Sequence, residues 1–127
     1  GIVVAGLGRR GYEMPLDGTG YETAGERRAQ LIEALRREMP EGYTWDFDTS
    51  LERSDCGTRG CAVGLAALMW PGLAAETNRV ADHIGIRHKD AFRVFGRAPG
   101  CLWSEVRGDE VTPGMVADAL AGLGERA

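Results

Sequence analysis

Apolar positions fall in short blocks along the chain, and most blocks carry their own stop signals. The longest follows Cys56-Gly-Thr-Arg-Gly-Cys61 and runs Ala62-Val-Gly-Leu-Ala-Ala-Leu-Met-Trp70 without a polar residue, closed by Pro71-Gly72. A helix apolar on every side has to be surrounded, so this block predicts a central helix with Thr58 as its cap. Its reach is roughly 18 Å at 1.5 Å per residue, well short of a ~30 Å hydrocarbon core. Gly60, Gly64 and Ala67 make a stripe without bulk, against which another helix can pack closely.

Weaker blocks flank this one. Thr23-Ala-Gly-Glu26 is a capping box and predicts a helix over 24–39. Leu31, Ile32, Leu35 and Met39 form its apolar face, Glu33 and Arg37 pair outside, its four arginines are solvated and Pro40 stops it. Tyr43, Trp45 and Phe47 alternate with polar neighbours as a short strand does. Leu73–Ile84 reads as a third helix, with Val80, Ala81 and Ile84 inward and Gly85 at its end. Lys89–Phe95 reads as a fourth, with Ala91, Phe92 and Phe95 inward and Gly96 closing it. Pro99-Gly100 is a turn, and Cys101-Leu-Trp103 an extended piece laid over the core. Thr112 and Pro113 open the last helix, whose Val116, Ala119, Leu120 and Leu123 face inward. The expected fold is mainly α: a single compact domain over 23–127, with about five short helices around the central apolar one and one or two short strands. A glycine-rich arm, 1–22, precedes it.

Composition narrows the class. The 127 residues are 43% hydrophobic and 27% charged, which suits one domain with an ordinary core. A formal charge of −4 argues against sequence-independent affinity for nucleic acid or an anionic membrane, while leaving room for a local basic patch. Ile2-Val-Val-Ala5 is too short for a signal-peptide apolar region and has no basic stretch before it. Three cysteines do not make a secreted disulfide framework. The expectation is a cytoplasmic protein with no membrane partner.

Several stretches resemble chemical motifs. Gly6-Leu-Gly-Arg-Arg-Gly11 fits G-x-G-x-x-G, but Tyr12-Glu-Met-Pro15 follows where the fingerprint needs a helix, so an arm or edge strand is expected and no cofactor. Asp46, Asp48, Ser50 and Glu52 are spaced like calcium ligands, yet Leu51 and Gly57 stand where the loop needs a glycine and a bidentate glutamate. Cys56 and Cys61 precede a helix N-terminus beside Arg59, a setting that stabilises thiolate, with His83 or His88 as the available base. The competing expectation is that both sulfurs pack as small hydrophobes. Cys101 and a histidine would complete a Cys3His set with them. The ligand spacing is too loose for a structural zinc site, so no metal is expected. Residues 80–95 have the layout of a helix-turn-helix, with Ala81 at the crossing, Gly85 in the turn and Ile84, Ile86, Ala91 and Val94 inside. Its second helix would present Arg87, His88, Lys89 and Arg93 to a major groove, diluted by Asp82 and Asp90. Trp45, Phe47 and Trp103 are candidates to line a ligand pocket, with core packing as the alternative.

At Cys56-Gly57-Thr58, Cys61, Gly64 and Ala66 the sequence resembles a group of small bacterial and phage proteins with a C-G-T-x-x-C-x-x-G-x-A core. An aromatic, acidic approach such as Trp45-Asp-Phe-Asp48 is similar as well, as are the Ala81, Gly85, Ala91, Phe95 segment and the Thr-Pro opening of a C-terminal helix. The resemblance spans 23–123 at motif level. It departs at Leu65, where those proteins often carry Trp or His. It implies one fold and brings no established activity. The functional expectation is a non-catalytic binding or accessory module for a protein or small ligand, as monomer or homodimer. DNA binding through 80–95, and cysteine redox or zinc chemistry, are the alternatives.

Overall fold

The computed structural model describes residues 23–49, 51–54 and 57–123. The expected N-terminal arm, Ser50 and Cys56 lie outside them.

Helix α1 spans Ala24–Arg36 and opens on the capping box, with the Thr23 hydroxyl accepting from the Glu26 amide at 3.0 Å and the Glu26 carboxylate accepting from the Thr23 amide at 2.8 Å. It ends earlier than Met39. Arg37 is extended at φ −96°, ψ 173°, because Pro40 disfavours helical geometry at the residue before it and its ring would collide with the carbonyl of Arg36. Leu31 and Leu35 are buried and Ile32 and Met39 only partly. The arginines are not one solvated face. Arg28 is buried, and its Nη1 donates to the Leu123 carbonyl at 3.4 Å; Arg27 Nε donates to the His83 carbonyl at 2.7 Å. Arg36 and Arg37 stay exposed as expected, Arg36 reaching Asp118 at 2.7 Å and Arg37 pairing with Glu33 at 2.6 Å.

Three strands follow, in the order β1-β3-β2 across the sheet: β1 (Tyr43–Trp45), β2 (Glu52–Ser54) and β3 (Gly57–Gly60). β1 runs parallel to β3 with Tyr43 opposite Thr58, and β2 runs antiparallel to it with Glu52 opposite Arg59. Thr58 is therefore a strand residue, not a helix cap. Its amide is taken by the Gly42 carbonyl at 2.8 Å, and the Gly60 carbonyl accepts from Asp46 at 2.8 Å. Pairing claims the backbone through Gly60, so α2 starts only at Ala62, with Cys61 as its N-cap, and Gly60 drops out of the expected small-residue stripe. The acidic loop between β1 and β2 holds itself: the Asp46 carboxylate accepts from the Asp48 amide at 3.1 Å and the Thr49 hydroxyl at 3.0 Å.

Helix α2 (Ala62–Met69) is buried at Ala62, Val63, Gly64, Leu65, Ala66 and Met69 and packs on α1, β3 and α3. The most extensive helix pairing, however, is α1 with α5. Gly72 turns the chain at φ 95°. Residues 73–76 then cross without helical bonding until the Val80 amide meets the Glu76 carbonyl at 3.0 Å. Helix α3 is thus Thr77–Ile84 and shorter than expected, and α4 is His88–Phe95. Phe92 does not face inward: it is 49% exposed, because Asp90, Ala91, Val94 and Phe95 fill the buried sector of α4. Residues 101–103 form turns instead of an extended piece. A 3-10 turn (Gly108–Glu110) leads to α5 (Pro113–Ala121), where Thr112 caps the Met115 amide at 3.2 Å and Pro113 takes the first position, as the sequence predicts. One hydrophobic cluster draws on all five helices and β1. The protein is mainly helical, and among the described residues no helix is long and apolar enough to cross a membrane.

Gly85 joins α3 to α4 and touches α1. It sits at φ 74°, ψ 37°, and a Cβ built there would lie 2.7 Å from Ala24 Cβ. Left-handed geometry costs an L-residue roughly 1–2 kcal/mol and overpacking roughly 1–3. Gly85→Ala is expected to lower unfolding free energy in urea by about 2–4 kcal/mol; a loss below about 0.5 kcal/mol, the scale of ordinary surface changes, would refute this account of the turn.

Candidate functional site

The α3–Gly85–α4 pair is rigid from below. Val80, Ala81, Ile84, Ile86, Ala91 and Val94 are each no more than 1% exposed, and the Gly85 and Ile86 amides both return to the Ala81 carbonyl. Burying such side chains is worth about 1.5–3 kcal/mol for each Val or Ile, so the outward face of α4 is presented on a fixed support.

That outward face consists of His88, Lys89, Phe92 and Arg93, with Arg87 at the entrance. Asp90 points the other way and is 6% exposed. Its carboxylate accepts from Arg87 at 2.9 Å and lies 3.6 Å from Arg93. His88 Nε2 meets Asp82 Oδ1 at 2.8 Å, tying α4 to α3. Three of the four side chains proposed to read DNA are thus engaged by carboxylates of the chain itself. Lys89 has no ion pair or hydrogen bond among the described residues.

The loop after α4 continues the face. The Phe92 carbonyl keeps its helical donor, the Gly96 amide at 3.1 Å, while those of Arg93 and Val94 lie among the carbonyls a helix C-terminus leaves open; one turn brings a donor to each of the three. Cys101 Sγ donates to the Phe92 carbonyl at 3.1 Å, the Leu102 amide to Arg93 at 3.0 Å and Trp103 Nε1 to Val94 at 2.7 Å. Arg97 fixes the far side, with Nε on Asp48 at 2.9 Å and Nη1 on the Val106 carbonyl at 2.9 Å. This brings Leu102, 44% exposed, beside the turn of Phe92; the two are the large hydrophobic residues left in solvent among those described. Sequence reasoning missed both. The signal was available at Asp90, whose placement in the buried sector turns Phe92 outward.

Cys56 lies outside the described residues, and Cys61 is not placed with either candidate base. Cys61 is 4% exposed, and burial pushes its thiol up, against a smaller opposing pull from the Val63 and Gly64 amides and its own. Arg59 does not help it, being bound to Glu52 at 2.7 Å and near Asp46 at 3.6 Å. The two candidate bases lie elsewhere. Cys61 lines a cleft of about 180 Å³ with Phe47, Asp48, Thr77, Phe95 and Arg97. His83 lines a separate one of about 560 Å³ with Arg27, Glu76, Arg79 and Asp82, and His88 is exposed on α4. Cys101 is spent on the Phe92 carbonyl. Among the described residues no three His, Cys, Asp or Glu side chains are placed to hold a metal.

In the larger cleft every charged side chain is engaged within the chain. Arg79 is 3.7 Å from Glu76, Asp82 holds His88 and Arg27 caps His83. His83 Nε2 and Trp70 Nε1 are buried without hydrogen-bond partners; their rings meet edge to face at 4.7 Å, where an N–H can rest on a π face. Desolvation, then Arg27, lowers the His83 pKa from 6.5. Of the aromatic trio, Trp45 and Phe47 have ring centroids 6.4 Å apart and Phe47 lines the cleft beside Cys61, while Trp45 Nε1 donates to the Val111 carbonyl and Trp103 Nε1 to the Val94 carbonyl, each at 2.7 Å.

Two outcomes follow. Because the His83 pKa lies lower in the fold than the 6.5 of the unfolded chain, its stabilising contribution is present above pH 6.5 and is lost as pH falls below it toward the folded value. His83→Gln is expected to flatten the fall in melting temperature between pH 6.5 and about 5, above most carboxylate titration; an unchanged slope would contradict the burial assignment. In a Cys56→Ser background, Cys61 and Cys101 are expected to resist iodoacetamide at neutral pH until denaturant is added, with mass spectrometry counting the adducts. No family model matches the chain, and neither a curated protein nor a solved structure matches it.

Proposed function

We propose that the chain is a non-catalytic binding module that docks a protein partner on the outward face of α4 and the 96–107 loop. The observation that carries this reading is the pair of exposed anchors, Phe92 and Leu102, held beside each other by bonds from the turn to the last carbonyls of the helix. Interfaces draw most of their energy from a few apolar or aromatic anchors on preorganised support. Among the described residues no nucleophile and base are paired to argue for catalysis, and the charges of the larger cleft are already engaged, which leaves the small-ligand alternative with less support. The motif group resembled at Cys56–Ala66 adds no activity to this reading.

A second reading, DNA binding, is favoured by the buried pattern at Val80, Ala81, Ile84, Ile86, Ala91 and Val94 around Gly85, which fits a helix-turn-helix. Against it stands Asp90, whose charge lies beneath Arg87 and Arg93 and would oppose a phosphate approaching them. If DNA is the partner, a random duplex pool binds at low salt, and Arg87→Ala with Lys89→Ala weakens it and lowers the salt slope.

The main reading is tested by placing a photo-crosslinking phenylalanine analogue at position 92, with position 33 on the exposed side of α1 as control. Protein adducts are expected at 92, absent at 33 and lost with Leu102→Asp. Equal adduct patterns at the two positions would overturn it, and nucleic-acid adducts at 92 would transfer the face to the second reading.

A further inference from the structure

We infer that His83 is a proton-operated latch: charging its ring drives the ring off Trp70 into the adjoining cleft, uncovering Trp70 and loosening the seam between α1 and the α3–α4 hairpin while the rest of the fold stands. Three contacts meet here. The ring lies edge to face with Trp70 at 4.7 Å, the His83 carbonyl accepts from Arg27 Nε of α1 at 2.7 Å, and two residues on, Gly85 presses against Ala24 of the same helix. The ring thus ties α3 to the end of α2, and the backbone ties it to α1.

The position of the ring suits its neutral form. Imidazolium donates through both nitrogens, so the charged ring carries an N–H at Nε2 whichever tautomer precedes it. That nitrogen is buried with no hydrogen-bond partner, and burying an ionic donor without an acceptor is strongly unfavourable. An indole face attracts a cation; against that stand the loss of water and the guanidinium of Arg27, which hold the His83 pKa below 6.5. The latch is therefore shut above pH 6.5 and opens as pH falls through the lower, folded value.

The surrounding charges give the opening a direction. Among the described residues that share the cleft with His83, α1 contributes Arg27, the crossing before α3 contributes Glu76, and α3 itself contributes Arg79 and Asp82. Helix α2 brings no charge, and His88 of α4 holds Asp82 at 2.8 Å. Both carboxylates stand toward water, the Glu76 and Asp82 side chains being 69% and 57% exposed. They favour a cation that has swung outward. The cleft, about 560 Å³, gives the ring room to do so without unfolding the chain, and local openings of this kind cost less than global unfolding.

Nuclear magnetic resonance on the full chain reads both ends of the latch: the His83 Cε1 proton, assigned with His83→Gln, and the Trp70 indole N–H, assigned with Trp70→Phe. Between about pH 7 and 5, above most carboxylate titration, the indole N–H is expected to exchange with water about tenfold or more faster as His83 charges, the ratio of one pH unit. This runs against the slowing that acid imposes on base-catalysed exchange. The Val80 and Val94 amides are expected to stay protected. His83→Gln should abolish the response. Arg27→Gln should move both signals together to higher pH, and Arg27→Lys, which keeps the charge, should not. The comparison of wild type with His83→Gln stands by itself should the Arg27 variants not fold. An indole N–H still protected once His83 is charged overturns the release. Loss of its protection only together with the Val80 and Val94 amides overturns the latch in favour of global unfolding, and a His83 that stays neutral down to about pH 5 overturns it as well.

Discussion

Open carbonyls at the ends of short helices are the constraint on which this structure depends. α2, α3 and α4 are eight residues each and α5 nine, lengths at which an isolated helix is marginal, and a large share of each helix is terminus. The donors come from elsewhere in the chain: Arg27 for α3, Arg28 beyond α5, and the 101–103 turn for α4. Each such bond contributes about 0.5–1.5 kcal/mol net, but leaving a buried acceptor bare costs about 1–3. Helix α1, the one long element, therefore serves as more than a packing partner: it carries the donors that finish two others. That explains why its arginines break ranks. Arginine is suited to this task because it keeps its charge and offers several donors on a long stem.

Local signals in the sequence were legible where the determinant was local. The capping boxes at Thr23 and Thr112, the Gly85 turn and the inward positions from Val80 to Val94 stand where pattern and propensity put them. What failed was competition between distant partners. Thr58 has a good capping side chain, but β1 and β2, both outside the pattern of the apolar block, take its backbone first. Cys61 carried two expectations, an activated thiol ahead of a helix and a sulfur packed as a small hydrophobe, and its burial answers to the second and pushes its thiol pKa up. Cys101 and Trp103 do cover the core as read, and their polar atoms also close a helix end, a role set by a turn that no periodicity announces.

The outward face of α4 arises from the same economy of charge. Asp90 is an acid in the first turn of α4, which favours the helix dipole, yet its burial draws Arg87 and Arg93 over it and leaves the apolar surface of Phe92 without cover. Net charge describes the molecule poorly at this scale. With a Debye length of about 8 Å at physiological salt, the surface of α4 is governed by the charges near it and not by the sum over the chain.

The turn at 101–103 also fixes where this surface could be cut from its parent. A fragment ending at Phe95, the end of the second helix, would strip the donors from the Phe92, Arg93 and Val94 carbonyls and remove Leu102 altogether. Gly85, for its part, leans on Ala24 of α1. The shortest transplantable unit is therefore not the helical hairpin but the hairpin with its trailing turn, set on a host that supplies a small residue beneath Gly85.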